Sequence, residues 1–386
     1  MTKYSVYQHW DPLKTCLVGR SYSPEFYSFI KNSRVRAVME QIASETEEDY
    51  QRLVTLLESF GVEVLRPILS NNYKDYVVDG KILPPPMCPR DWTIMLGDKF
   101  YFKSQYVNTG GQDGFRLAYV PVTDHAIWGH VLSHIREHGN EIINDIKVIN
   151  PPKDPDLLRW WNTATTTRIG KDLYFGTNKG WWTEERDMPN QKQMALDLKK
   201  QHLQEQFPDY RCHVIDTLGH ADGTYSPVVP GLIISGYKVS TYADTYPGWE
   251  VLHVPKASWD NMRPFLELKI KNRGKWWVPG QELNDEFTDF IESWLDHWVG
   301  YVEETTFDVN MLIIDKKNVA CCSYSKEVFD KFAQYGITPH IVNFRHRYFW
   351  DGGLHCITSD IHREGVLEDY FPERSQSSVD NTNNNK

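Results

Sequence analysis

The chain has 386 residues, 40% of them apolar, with 52 acidic against 42 basic side chains for a formal net charge of −10. An anionic surface of this kind repels phosphate backbones and anionic bilayers, which argues against nucleic acid or membrane as partner and favours a cationic small molecule. Six cysteines (Cys16, Cys88, Cys212, Cys321, Cys322, Cys356) show no Cys-x-x-Cys pair and no regular spacing, as expected of free thiols in a reducing cytoplasm. No signal-like segment precedes Trp10 and no apolar run approaches bilayer length, so a soluble, cytoplasmic protein is expected.

In chain order, Ser44-Glu45-Thr46-Glu47 has capping-box spacing and predicts a helix with Leu53, Leu56, Leu57 and Phe60 on one face, stopped by Gly61. Val62 to Leu65 then reads as a strand. His130, His134 and His138 recur at helical spacing; without a carboxylate or cysteine to complete a metal set, a solvated helix face explains them. Gly176 to Gly180 lacks the spacing of a phosphate loop. A helix from Pro189 to Gln206 precedes a strand at Cys212 to Ile215, and Gly231 to Gly236 with Trp249 to Val254 reads as a hairpin-like pair. Toward the end come a strand at Asn310 to Ile314, Cys321-Cys322 on two faces of one strand, a helix at Lys326 to Tyr335 closed by Gly336, and a strand at Ile341 to Asn343. The alternation implies an α/β architecture, and the hairpin-like pairs exclude a purely parallel doubly wound sheet. No linker interrupts residues 1–373, read as one domain, and the Ser- and Asn-rich residues 374–386 read as a disordered tail. The pairs Trp160-Trp161, Trp181-Trp182 and Trp276-Trp277 suit packing between units better than ligand stacking.

Three segments carry candidate chemistry. Asp351-Gly352-Gly353-Leu354-His355-Cys356-Ile357-Thr358 sets a cysteine behind a paired-glycine turn, which is compatible with a nucleophile on a tight loop and with a buried small hydrophobe. Gly219-His220-Ala221-Asp222-Gly223-Thr224 alternates a histidine with a carboxylate, so both can project from one side of an extended segment, as on any polar face. In Met87-Cys88-Pro89-Arg90-Asp91, Asp91 is either a local cap or a ligand, and Arg90 either an ion-pair partner or a substrate ligand. His355 adjoins the cysteine but points elsewhere if the loop is extended, and is left outside the catalytic set.

Together these segments resemble the amidinotransferase family, within the wider guanidino-modifying superfamily. His9-Trp10-Asp11-Pro12-Leu13, leading through Cys16 to Arg20, is similar to the family's opening and first strand, and the resemblance runs with gaps to Glu373, loosely between about residues 70 and 220. It implies the pentein fold, five ββαβ units around a pseudo-fivefold axis with the active site in the central channel; no fivefold repeat is visible in the sequence itself. It also implies an enzyme that takes the amidino group from L-arginine or a related guanidino compound, with Cys356 as nucleophile, His220 as acid/base, and Asp91 and Asp222 as guanidinium ligands. That assignment is chemically complete without a cofactor, since a thiolate attacks the central carbon, carboxylates hold the planar cation and an imidazole protonates the departing amine.

Three departures from the family pattern bear on the acceptor. Before the turn Arg168-Ile169-Gly170-Lys171-Asp172, Thr165 stands where the family has the carboxylate that partners its histidine. Val239, beside Lys238, stands where it has an arginine, and Glu303-Glu304 correspond to its paired serines, a change that suits an amine-bearing or cationic partner. Transfer to an amine is the first expectation, hydrolysis to ornithine and urea the second, and a guanidino-binding protein with weakened catalysis the third. A homodimer stays open.

Overall fold

The structure, a computed structural model, describes residues 4–78, 81–82, 84–91, 93–104, 116–121, 147–148, 163–176, 191–215, 220–237, 241–254, 276–295, 298–299 and 308–374. Its recurring unit is a tight antiparallel hairpin, a helix, and a third strand that returns parallel to the second. Thr166–Ile169 and Asp172–Gly176 form such a hairpin, Gln191–Gln206 is the helix, and Arg211–Ile215 is the parallel return. Tyr225–Val229 and Leu232–Ser235 repeat the pattern with the short helix Tyr242–Thr245 and Glu250–His253. Leu312–Asp315 and Asn318–Cys321 repeat it again with Lys326–Gln334 and Thr338–Ile341.

A fourth unit is assembled from both ends of the chain. Thr358–Arg363 pairs antiparallel with Leu13–Val18, which is followed by the helix Ser33–Ser59 and the parallel strand Glu63–Leu65. A fifth sheet begins with the hairpin Thr93–Leu96 and Lys99–Ser104 but continues antiparallel through Arg116–Pro121 and Lys147–Val148, and Val77–Val78 pairs with Lys81–Ile82 in a small two-stranded sheet. Three of the reversals use a left-handed residue, which glycine adopts without steric cost: Gly97 at φ +59°, Gly170 at +56° and Gly231 at +91°.

Several boundaries differ from the sequence reading. The first long helix starts at Ser33, because the Asn32 side chain accepts from the Arg34 and Val35 amides at 3.0 and 3.3 Å. Val35, Met39, Ile42, Thr46, Tyr50, Leu53 and Leu57 then form one continuous buried stripe, so Ser44 to Glu47 lies mid-helix rather than at a cap. The strand at Glu250–His253 is parallel to Leu232–Ser235, not its hairpin partner, because a helix intervenes and reverses the return. The last return strand is Thr338–Ile341, ahead of the expected Ile341 to Asn343, its register fixed by the Thr338 amide on the Lys317 carbonyl at 2.7 Å. The strand Asn318–Cys321 ends at the first cysteine, so Cys322 lies just past it rather than on the same strand, and the two are buried in different apolar clusters. Trp276 is in the core. Trp160-Trp161, Trp181-Trp182, the histidine series at 130, 134 and 138, and residues 375–386 of the expected tail lie outside the described residues. Among the described residues no helix is long and apolar enough to cross a membrane.

The units are locked together at one fully buried carboxylate. Asp360, on Thr358–Arg363, receives Arg90 Nη1 at 2.8 Å, Arg168 Nη2 at 2.6 Å and Arg363 Nε at 2.7 Å. The other donors reach further elements: Arg168 Nη1 donates to the Met95 carbonyl at 2.5 Å, and Arg363 to the carbonyls of Asp11 and Ile313 at 2.7 and 2.8 Å. Burial alone raises a carboxyl, but the Arg168, Arg90 and Arg363 charges hold Asp360 well below its ordinary value.

Asp360→Asn is expected to lower stability by about 3–5 kcal/mol, the cost of leaving buried charge uncompensated. Because the folded carboxyl is depressed, its share of stability is complete above the unfolded value near ~4 and is lost as pH falls below it. Denaturant titrations from neutral to acid pH check both statements: the gap between wild type and variant is expected to be full near neutrality and to shrink below about pH 4.

Candidate active site

The candidate residues occupy the same place in successive units, the segment just ahead of the first hairpin strand. Pro89–Asp91 precedes Thr93–Leu96, Thr163–Thr165 precedes Thr166–Ile169, and Ala221–Thr224 precedes Tyr225–Val229. Asn310 stands before Leu312–Asp315, and the glycine-rich turn carrying Cys356 stands before Thr358–Arg363. The turn at 163–165 packs against those at 89–91 and 221–224, and the turn at 89–91 also packs on Thr358–Arg363.

The cysteine turn is tightly wound, with the Ile357 amide on the Gly353 carbonyl at 3.0 Å and the Thr358 hydroxyl on the Leu354 carbonyl at 2.7 Å. It is entered through Asp351, which holds φ +51°, the left-handed region where aspartate is one of the few tolerated residues. Gly353 lies against Asn310: a Cβ there falls 2.5 Å from Asn310 Oδ1. A side chain at 353 therefore displaces either the turn or the asparagine.

Cys356 is buried, and its Sγ donates to Asp222 Oδ2 at 3.3 Å. The same oxygen accepts from His355 Nδ1 at 2.9 Å. Burial and the Arg90 charge push His355 below its ordinary value despite the pull of Asp222, so at neutral pH the imidazole is neutral and donates through Nδ1. Burial raises Asp222, but the hydrogen bond from His355, the charge of His220 and the thiol hydrogen bond offset it, and the carboxyl is held below its ordinary value. Its second oxygen, Oδ1, is buried and has no hydrogen-bond partner among the described residues. On the opposite wall Asp91 Oδ1 lies 3.9 Å from His220 Nδ1, and both side chains are partly open to solvent.

Burial, followed by the charges of Asp222 and Asp91, pushes the Cys356 thiol well above its ordinary value. At rest the group is a thiol. A cation between the two carboxylates reverses that balance and favours the thiolate, so the arrangement is suited to a nucleophile that the substrate's own charge activates.

Asp91, His220, Asp222 and Cys356 thus converge, and Thr165 is fully buried on a turn packed against those of Asp91 and Asp222. Arg90, a candidate substrate ligand, is instead committed to the scaffold: besides Asp360, its Nε donates to the carbonyls of His355 and Thr358 at 3.2 and 3.0 Å, and its amide to that of Cys356 at 3.3 Å. Glu303, Glu304, Lys238 and Val239 lie outside the described residues.

Sequence reasoning left out His355, which reaches Asp222 because the loop is a wound turn and not extended. It also missed Asn310, read only as the start of a strand, and His9, whose ring lies 5.7 Å from that of His355 and whose Nε2 accepts from the Arg168 amide at 3.3 Å. The single local signal for His355 was its place beside the cysteine. Among the described residues no group of three or more His, Cys, Asp or Glu side chains is placed to hold a metal ion.

No family model matches the chain. The mitochondrial glycine amidinotransferases of Xenopus laevis and Xenopus tropicalis are 26% and 23% identical to it, each over 95% of this chain and 84% of the relative. The L-arginine:L-lysine amidinotransferase of Pseudomonas savastanoi pv. phaseolicola is 22% identical over 55% of this chain and 46% of its own length. Among solved structures, inosamine-phosphate amidinotransferase from Streptomyces griseus superposes with a TM-score of 0.57 at 16% identity, covering 96% of this chain and 99% of that one. A Microseira wollei amidinotransferase of the saxitoxin biosynthetic pathway gives 0.55 at 16% identity, covering 95% and 99%. Motifs, end-to-end sequence relatives and fold agree: the chain is similar to the amidinotransferases along almost its whole length and has their pentein fold, which supports an enzyme that modifies guanidino groups.

Proposed function

We propose that the protein transfers the amidino group of L-arginine, or of a closely related guanidino compound, to an amine through an S-amidino intermediate on Cys356. One observation carries this reading: a buried thiol 3.3 Å from a buried, ionised carboxylate whose second oxygen has no hydrogen-bond partner among the described residues. Such a pair is costly unless it meets a cation with planar donors, and a guanidinium supplies both the charge and the N–H groups.

In this reading Asp222 and Asp91 hold the guanidinium, whose charge lowers the thiol enough to ionise it, its proton passing to His220. Sulfur bonds to the central carbon, and the bond to the departing nitrogen breaks as His220 delivers a proton, releasing ornithine. His220, now neutral, takes the proton of the incoming amine; nitrogen bonds to the amidino carbon and the thiolate leaves. Asp91, 3.9 Å from His220, is the carboxylate available to steady the imidazolium where Thr165 replaces the family's acid. His355 acts through Asp222 by fixing one oxygen and leaving the other to the substrate. The substrates are small molecules, and nucleic acid and membrane have no place in this chemistry.

The discriminating experiment is incubation with L-arginine, with and without glycine, lysine and other amines, followed by mass spectrometry of the products. Ornithine with an amidinated amine supports transfer. Ornithine with urea when no amine is present assigns the enzyme to hydrolysis, and arginine binding without turnover overturns the enzymatic reading.

Cys356→Ser is expected to lower turnover by on the order of 10³-fold or more while leaving the unfolding midpoint close to wild type, because a serine hydroxyl at its ordinary pKa is a poor nucleophile here. Steady-state assay beside thermal unfolding reads both. Asp91→Asn and Asp222→Asn each remove one charge-assisted contact to the guanidinium, and each is expected to weaken capture by about 1.5–3 kcal/mol. An unchanged kcat/KM for either variant removes that residue from the substrate site.

A further inference from the structure

Asn310 is fully buried and touches the reacting sulfur, yet no part of the chemistry described so far uses it. Its Oδ1 accepts from two backbone amides of the cysteine turn, His355 at 2.9 Å and Cys356 at 3.1 Å, and its Nδ2 donates to Cys356 Sγ at 2.8 Å. The two amides fix the orientation of the side chain, since the flipped form sets its NH₂ against two N–H donors. The donor end therefore faces sulfur. Gly353 makes the approach feasible: a Cβ there meets Asn310 Oδ1, Cβ and Cγ at 2.5, 2.7 and 2.7 Å.

The surroundings of Sγ otherwise disfavour an anion. Asp222 faces it from the turn at 221–224, Asp91 from the turn at 89–91 and Cys88 from just ahead of that turn, while His355 bonds Asp222 and His220 lies 3.9 Å from Asp91. Among the described residues, Sγ has two hydrogen-bond partners, Asp222 and Asn310. Once the thiol proton leaves, the contact with Asp222 becomes a repulsion between two anions, and the Asn310 amide is the donor that remains.

We propose that Asn310 is a catalytic residue: its side-chain N–H stabilises the Cys356 thiolate, both as it attacks the guanidinium carbon and as it is expelled. The second occasion needs it most. When the acceptor nitrogen bonds to the amidino carbon, the C–S bond breaks with its electron pair on sulfur and the amine proton passes to His220, so the thiolate re-forms as the cationic group is carried away. This role rests on Cys356 being the nucleophile.

The test is the rate at which iodoacetamide alkylates Cys356 in the full-length, substrate-free protein, read on the Cys356 peptide and followed against pH. Asn310→Ala removes the donor, and the rate below the thiol's midpoint is expected to fall about 10- to 100-fold, equivalent to a rise of about one to two pH units. Asn310→Asp is the second variant, should alanine not fold: it keeps an acceptor for the two amides, and at the alkaline pH where this thiol ionises the new carboxyl is ionised too, so the rate again falls. A purely structural role predicts the opposite sign, because a loosened turn admits water and lowers a thiol that burial had raised. Faster or unchanged alkylation in a folded variant overturns the proposal, as does slower alkylation with unchanged kcat. Since alkylation requires no substrate, its outcome is separate from that of Cys356→Ser, which tests the nucleophile itself.

Discussion

One carboxylate organises this molecule. Asp360 is buried among Arg90, Arg168 and Arg363, and each arginine reaches from it to a different stretch of backbone: Arg90 to the cysteine turn, Arg168 to Met95, and Arg363 to Asp11 and Ile313. Bidentate, planar guanidinium groups suit this task, because each joins a carboxylate to carbonyls in a fixed direction. The penalty for burying these ions is severe unless the full set of partners is present, so the network forms only when four units have come together. The cysteine turn is among the segments it holds.

The same cluster sets the electrostatics of the site. Burial lowers both His355 and His9, and Arg90 adds to this at the first and Arg168 at the second. A neutral His355 donates one hydrogen bond to Asp222 and leaves that carboxylate its full charge. The scaffold cations therefore keep a nearby histidine uncharged while the substrate-facing wall stays anionic. Cys356 lies at the boundary, raised by burial and then by the carboxylates beside it, and relieved by the amide of Asn310. Cys356 is thus a thiol at rest, and in the proposed reaction the incoming cation completes the charge balance.

The candidate site was legible in sequence wherever it sat in a short local pattern. Cys356 follows a glycine pair, His220 and Asp222 alternate, and Asp91 follows Pro89-Arg90; each segment is compact enough to be read by eye. His355, Asn310 and Asp360 were not, because what makes them matter is a partner far along the chain: Asp222 for His355, Cys356 for Asn310, Arg90 and Arg168 for Asp360. Arg90 was seen, but its partner decided that it builds the scaffold. The ββαβ repeat, implied by the resemblance, left no visible repeat in the sequence for a related reason. What repeats is a position, the turn ahead of each hairpin, and it is filled by different residues: Asp91, Thr165, Asp222, Asn310 and Cys356. The early start of the first long helix was hidden because Asn32 caps it, whereas Ser44 to Glu47 carries the more familiar signature.

The account turns on Cys356 becoming covalently amidinated by a guanidino donor. Mixing the protein with L-arginine in the absence of an amine, quenching with acid at short times and measuring the mass of the Cys356 peptide tests this directly. The expected result is an amidino adduct on that peptide, formed together with ornithine and discharged when an amine is added. Ornithine appearing over many turnovers with Cys356 unmodified at every time, and with unchanged rates in Cys356→Ser, contradicts it.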